Sequence, residues 1–174
     1  RCQEGGEGGD REKEGVDDDC DDCATGSLNW ISSSTTDNDG DGCEDAGEDG
    51  DDDNDGLLDG NDECPAGDVG WSPSSTTDYD SDGCRDAGED TDDDNDGVAD
   101  GSDLCEKGLL NWVSNPTTDV DGDGCHDAVE DSDDDNDGTS DSSDNCPVDA
   151  NANQNNYDFD SLGDVCDPDD DNDG

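Results

Sequence analysis

Methionine is absent from this 174-residue sequence, phenylalanine occurs once, tyrosine twice and tryptophan three times, and hydrophobic residues make up 23% of the chain. That share includes ten cysteines and several alanines. The remaining Leu, Ile, Val and Phe cannot offset backbone ordering at roughly 1–2 kcal/mol per residue, which excludes an ordinary packed core. No apolar run exceeds two or three residues, which excludes a membrane-spanning helix. No N-terminal stretch joins a basic start to an apolar segment, so the chain is expected to be mature or excised from a longer one. Positive charge is as scarce: 5 Lys+Arg stand against 59 Asp+Glu, a net charge of −54. Such a polyanion is repelled by nucleic-acid phosphates and anionic lipid, and collects cations.

High acidity with few aromatics also marks disordered tails, and the order of the residues decides between the two. Cys43, Cys84, Cys125 and Cys166 step by 41 residues, as do Cys23, Cys64, Cys105 and Cys146. The same period carries Trp30, Trp71 and Trp112, paired threonines, and the hexapeptide DDDNDG starting at Asp51, Asp92 and Asp133. This is a repeat array. Its units are 23–63, 64–104, 105–145 and a C-terminally incomplete 146–174, after a degenerate capping unit 1–22. Gly, Asp, Asn and Ser recur every few residues, leaving no helical or strand period. The expected fold is an irregular, loop-dominated, solenoid-like rod, held by ligands and covalent links, with almost no regular helix or strand and no conventional hydrophobic core.

The acidic runs supply the ligands. Asp37, Asp39, Asp41, Asp45 and Glu48 occupy positions 1, 3, 5, 9 and 12 of a twelve-residue loop with Gly42 at position 6. This is the spacing with which an EF-hand loop wraps Ca²⁺, position 7 offering a carbonyl and position 12 a bidentate carboxylate. Copies of this first-type loop are Asp78, Asp80, Asp82, Asp86, Glu89 and Asp119, Asp121, Asp123, Asp127, Glu130. A second-type loop interleaves: Asp51, Asp53, Asp55, Asp59, Asp62, then Asp92, Asp94, Asp96, Asp100, Asp103, then Asp133, Asp135, Asp137, Asp141, Asp144. About two sites per repeat are expected, with all-oxygen ligation that suits Ca²⁺ better than Mg²⁺ or Zn²⁺. Asp52, Asp93 and Asp134 point away from their neighbours, either to bridge a further ion or into solvent.

The stretch from Asp144, DNCPVDANANQNNYDFDSLGDVCDPDDDNDG, resembles a thrombospondin type 3 repeat: an NCP start, N-x-x-Q, alternating Asp, GDxCD and D-x-D-x-D-G. Asp158, Asp160, Asp164, Asp169, Asp171 and Asp173 are its candidate ligands. Residues 23–143 resemble the family more loosely, with a Trp and Ser/Thr segment such as LNWISSSTT in place of N-x-x-Q. The resemblance implies a calcium-filled, disulfide-linked extracellular array, secreted or on a cell surface. Ten cysteines at repeating spacings suit disulfides there. Bridges could span 20 residues (Cys23 with Cys43, Cys64 with Cys84, Cys105 with Cys125, Cys146 with Cys166) or 21 (Cys43 with Cys64 and onward), and the resemblance favours the first. Cys2 and Cys20 are expected to pair as a cap. A zinc or redox role for Cys20 and Cys23 lacks a second ligand pair.

Each Trp is expected to pack against a neighbouring disulfide or module, with sugar stacking as the alternative. The adjacent Ser/Thr clusters are candidates for O-linked glycans or plain turn residues. Catalysis finds no support: the one histidine, His126, replaces Glu44 and Arg85 of other copies, and paired carboxylates lack an apolar cleft. The expected function is structural: a Ca²⁺-stiffened rod that spaces domains or forms adhesive filaments. The alternatives are a Ca²⁺ reservoir, a mineral-nucleating polyanion or a sugar-binding repeat. At the C-terminus Asp169, Asp171, Asp173 and Gly174 begin an unfinished second-type loop, expected either to continue in a longer chain or to be completed head-to-tail by another copy.

Overall fold

The computed structural model describes residues 9–173. Among these there is no helix and no strand; turns and bends carry the whole chain. The reason is local: short Asp and Asn side chains accept backbone N–H groups two residues on, and so displace helix and sheet ladders. The interior inverts the usual order. Its buried apolar residues are Cys43, Cys84, Cys125 and Cys146, whereas Asp53, Asp78, Asp94 and Asp119 are all at most 2% exposed. Leu28, Ile31, Leu58 and Leu104 lie outside.

Among the described residues, four bridges join Cys23 to Cys43, Cys64 to Cys84, Cys105 to Cys125, and Cys146 to Cys166, with Cα atoms 5.1–5.7 Å apart. The 20-residue register that the family resemblance favoured is the one present. Closing such a loop contributes about 3 kcal/mol on the chain-entropy account. The expected Cys2–Cys20 bridge involves Cys2, which lies outside the described residues.

The chain forms two compact units, Arg1–Asp90 and Thr91–Gly174. The division falls inside the 64–104 repeat counted on cysteines, between its two acidic loops. Within the first unit, a second-type loop leads into the first cysteine of a bridge and the first-type loop carries the second. The two are tied where Glu63 N–H donates to the Asp82 carbonyl at 2.9 Å; in the second unit Leu104 N–H does the same to Asp123 at 2.8 Å. Gly83 shows why position 6 of the first-type loop is glycine. Its φ is 94°, and the side chain of Asp62 fills the place a Cβ would take. Gly124 repeats this against Asp103, with φ 89°.

Candidate metal centres

Every acidic loop is closed by the same pair of hydrogen bonds. The residue at position 9 donates its N–H to the carbonyl just before position 1, and its Oδ1 accepts the N–H of position 2. In the loop 51–62 these are Asp59 to Gly50 at 3.1 Å and Asp52 to Asp59 at 2.9 Å. The loops starting at Asp37, Asp78, Asp92, Asp119 and Asp133 repeat both bonds. Inside each ring, the position 3 carboxylate accepts the N–H of position 5, and the position 5 carboxylate that of position 7, as Asp53, Asp55 and Leu57 do. Position 4 is left-handed throughout: Asn54, Ser81, Asn95 and Asn136 have φ of 52° to 69°. Asn tolerates that conformation better than most residues, which accounts for DDDNDG.

Carboxylate oxygens also converge, although Oδ2 of Asp39 and of Asp41 accepts the Asn54 amide and Oδ2 of Asp53 accepts Gly67 N–H. Asp37, Asp39 and Asp41 bring carboxylate oxygens within 4.8 Å of one another, and so do Asp51, Asp53 and Asp55. Oδ1 of Asp37 and the Oδ2 atoms of Asp55, Asp62, Asp78 and Asp96 are enclosed without a hydrogen-bond partner. Buried, unpaired carboxylate oxygens are expensive unless a cation meets them. Burial, followed by the neighbouring acids Asp59 and Asp45, pushes Asp52 up to about 6. Burial likewise pushes Asp53 and Asp103 up to about 6. The donor set is all oxygen, anionic and short of cationic side chains, so these residues fit Ca²⁺.

Some acids stand elsewhere than the spacing implied. Glu48 turns toward the backbone, Oε2 accepting from Ser27 N–H at 2.6 Å and Oε1 from Glu44 N–H at 3.3 Å. Glu89 does the same with Asp68 and Arg85. Asp49, one residue past Glu48, instead lies within 4.8 Å of Asp41, and also of Asp45 and Asp52 in a second cluster. Position 13 carried no sequence signal of its own, because Asp49 reads as one more acid in an acidic run. Asp93 is buried and paired with Lys107 at 3.3 Å. The fourth repeat has its own register. The paired bonds Asp164 to Asn155 and Tyr157 to Asp164 mark a loop spanning 156–167, so Asp158, Asp160 and Asp164 take positions 3, 5 and 9. Asn156 and Asp167 then open and close it. Asn at position 1 hid that start. Asp169, Asp171 and Asp173 are exposed, and Gly174 lies outside the described residues.

The tryptophans are half-buried, and each indole Nε1 is enclosed without a partner. Trp112 packs on His126 with ring centroids 4.8 Å apart. Among the described residues no helix is long and apolar enough to cross a membrane.

No curated protein matches the chain. Residues 118–154 match the family model of the thrombospondin type 3 repeat. The matched span takes in the loops 119–130 and 133–144 and ends at the N-x-x-Q, further upstream than the 144–174 stretch in which the resemblance looked strongest. Two acidic loops in tandem, each closed by the same pair of backbone bonds, thus coincide with the family match, and residues 118–154 are similar to a thrombospondin type 3 repeat.

Proposed function

We propose that the chain is a secreted or surface-attached structural array rather than an enzyme, stiffened by about two Ca²⁺ per 41-residue repeat and serving as a rod-like spacer or fibre segment. The observation that carries this reading is the burial of carboxylates with unpartnered oxygens, Asp96 at 0% exposure foremost, in a chain with almost no cationic side chains to meet them. A reservoir needs only acid. Here the acids are held in rings whose backbone bonds recur copy after copy, and covalent bridges fix one ring against the next.

Residues and ions have separate parts in this arrangement. The position 9 carboxylates hold their rings shut, the position 3 and 5 carboxylates aim at one point, and glycine at position 6 of the first-type loops lets the neighbouring loop approach. The bound ion supplies the positive charge that makes the enclosure stable. Small-angle scattering with and without chelator tests the reading: removing calcium at neutral pH expands the chain while the bridges persist. An unchanged radius of gyration refutes it. Head-to-tail filaments and O-linked glycans on the Ser/Thr segments are further elements of the proposal, checked by imaging in calcium and by intact mass.

A further inference from the structure

The N-terminal region was expected to be a degenerate cap, yet residues 10–21 adopt the closing geometry of the other rings, without the inner bonds from Glu14 to position 7. Asp18 N–H donates to the Gly9 carbonyl at 2.7 Å, and Asp18 Oδ1 accepts Arg11 N–H at 2.8 Å, the same closing pair as in the other rings. Lys13 at position 4 is left-handed, with φ 67°, and Gly15 stands at position 6 with φ 109°. The loop also docks as its counterparts do. Ser32 N–H donates to the Glu14 carbonyl at 2.9 Å, as Ser114 N–H does to Asp96 at 2.8 Å in the second unit. Asp22 N–H reaches the Asp41 carbonyl at 2.9 Å, and a Cβ on Gly42 would meet Asp21 Oδ1 at 2.6 Å. Asp21 Oδ1 accepts Cys23 N–H, as Asp62 accepts that of Cys64.

What differs is the ligand set. Glutamate replaces aspartate at positions 3 and 5, and with Asp21 these side chains bring oxygens within 4.8 Å of one another. All three are buried: Glu14 is 2% exposed, Glu12 5% and Asp21 8%. Both oxygens of Glu14, Oε2 of Glu12 and Oδ2 of Asp21 have no hydrogen-bond partner. The adjacent cation does not answer them, since Arg11 directs Nη2 to Asp18 at 3.8 Å and Nη1 to the Ala24 carbonyl at 3.1 Å. Enclosed acids this close are held together either by a cation or by protons.

We propose that residues 10–21 form a further calcium site, with Glu12, Glu14 and Asp21 as its carboxylate ligands. The added methylene carries the Glu14 carboxylate past the position 7 N–H that aspartate meets in the other rings, which leaves both of its oxygens for the ion. The proposal rests on the calcium reading above, and its test separates the two. Native mass spectrometry of the full chain, with the bridges intact, counts bound calcium for the wild type, Glu14→Gln, and Asp94→Asn as a control in a distant loop. Each variant should hold one ion fewer than the wild type. A wild-type count in Glu14→Gln beside a lowered count in Asp94→Asn overturns the N-terminal site alone, while a wild type that holds no ions overturns the calcium reading and this site with it. Carboxyl-carbon NMR of the unsubstituted chain, labelled in glutamate, gives a measure independent of any variant. Adding calcium at fixed neutral pH should shift the Glu12 and Glu14 carboxyl signals together, and chelator should reverse the shift. Signals that stay in place on adding calcium would show that no metal meets the cluster, and would overturn the site.

Discussion

The loops 92–103 and 156–167 belong to the same unit and share the same closing bonds, yet they differ in how their acids are kept. Asp94 and Asp96 are 1% and 0% exposed, whereas Asp160 is exposed and Asp158 half-buried. The earlier loop is covered by chain that follows it: Gly108 N–H donates to Asp94 Oδ2 at 2.8 Å, and Ser114 N–H to the Asp96 carbonyl at 2.8 Å. Position 6 differs too, glycine at 97 with φ 96° and serine at 161. Ring closure is therefore a property of twelve residues, while burial of the carboxylates is a property of the neighbouring module. Enclosure raises the energy of an empty ring and so raises its dependence on the ion.

The largest effect that would sharpen this contrast is the response to pH. Raised pKa values at Asp52, Asp53 and Asp103, to about 6, mean that the metal-free fold binds protons more tightly than the unfolded chain does. Its stability is therefore greatest below the ordinary Asp range and falls as pH rises toward about 6. The calcium-loaded fold runs the other way, because ligated carboxylates are depressed and lose their ion as pH falls through about 4. Unfolding by denaturant, followed against pH in chelator and in calcium, should give slopes of opposite sign. Equal signs would mean that these acids are not ligands.

Substitution comes next. Asp96→Asn should remove one high-affinity ion, weakening that site by about 10–100-fold, since a buried ligand loses its charge where water cannot replace it (about 1.4 kcal/mol per tenfold). Asp160→Asn, at an exposed ring, should weaken its site by less than tenfold, because water substitutes there. Calorimetric titration of both variants would break the comparison if the order were reversed.

Glycine 6 gives a smaller contrast. Gly83→Ala meets both a positive φ of 94° and the side chain of Asp62, whereas Gly56→Ala meets a positive φ of 108° with open space around it. The first should cost about 2–4 kcal/mol and the second about 1–2 kcal/mol, measured by unfolding in calcium. Smallest is Phe159, left-handed at φ 64° and 89% exposed, so that it carries backbone strain with no packing in return. Phe159→Asn should stabilise the loop by about 0.5–1 kcal/mol, seen as slower amide exchange at Leu162, whose N–H is held by Asp160 at 2.7 Å. Faster exchange would show that Phe159 is supported by contacts of its own.

Much of the architecture is legible in the sequence. Ligand spacing is a backbone property: alternate carboxylates and a turn at position 6 must close a ring, so the loops from Asp37 to Asp144 could be read directly. The 41-residue cysteine period implied bridges, and their 20-residue register followed the family pattern. Three features were hidden because residue type masked geometry. Glutamates at positions 3 and 5 made 10–21 look decayed, asparagine at position 1 concealed the ring 156–167, and Asp49 stood beside the glutamate that the spacing favoured.

The sequence by itself determined that no apolar core could form, that cations must balance the charge, and where most rings would close, because charge and local turn geometry depend on neighbours in the chain. Only the tertiary structure decided which carboxylates are enclosed and which way Glu48 and Glu89 turn. Those outcomes depend on a segment fourteen to twenty-one residues distant, such as Gly108 over Asp94 or Ser27 beside Glu48, whose approach is set by the bridge and by the packing of one loop on the next.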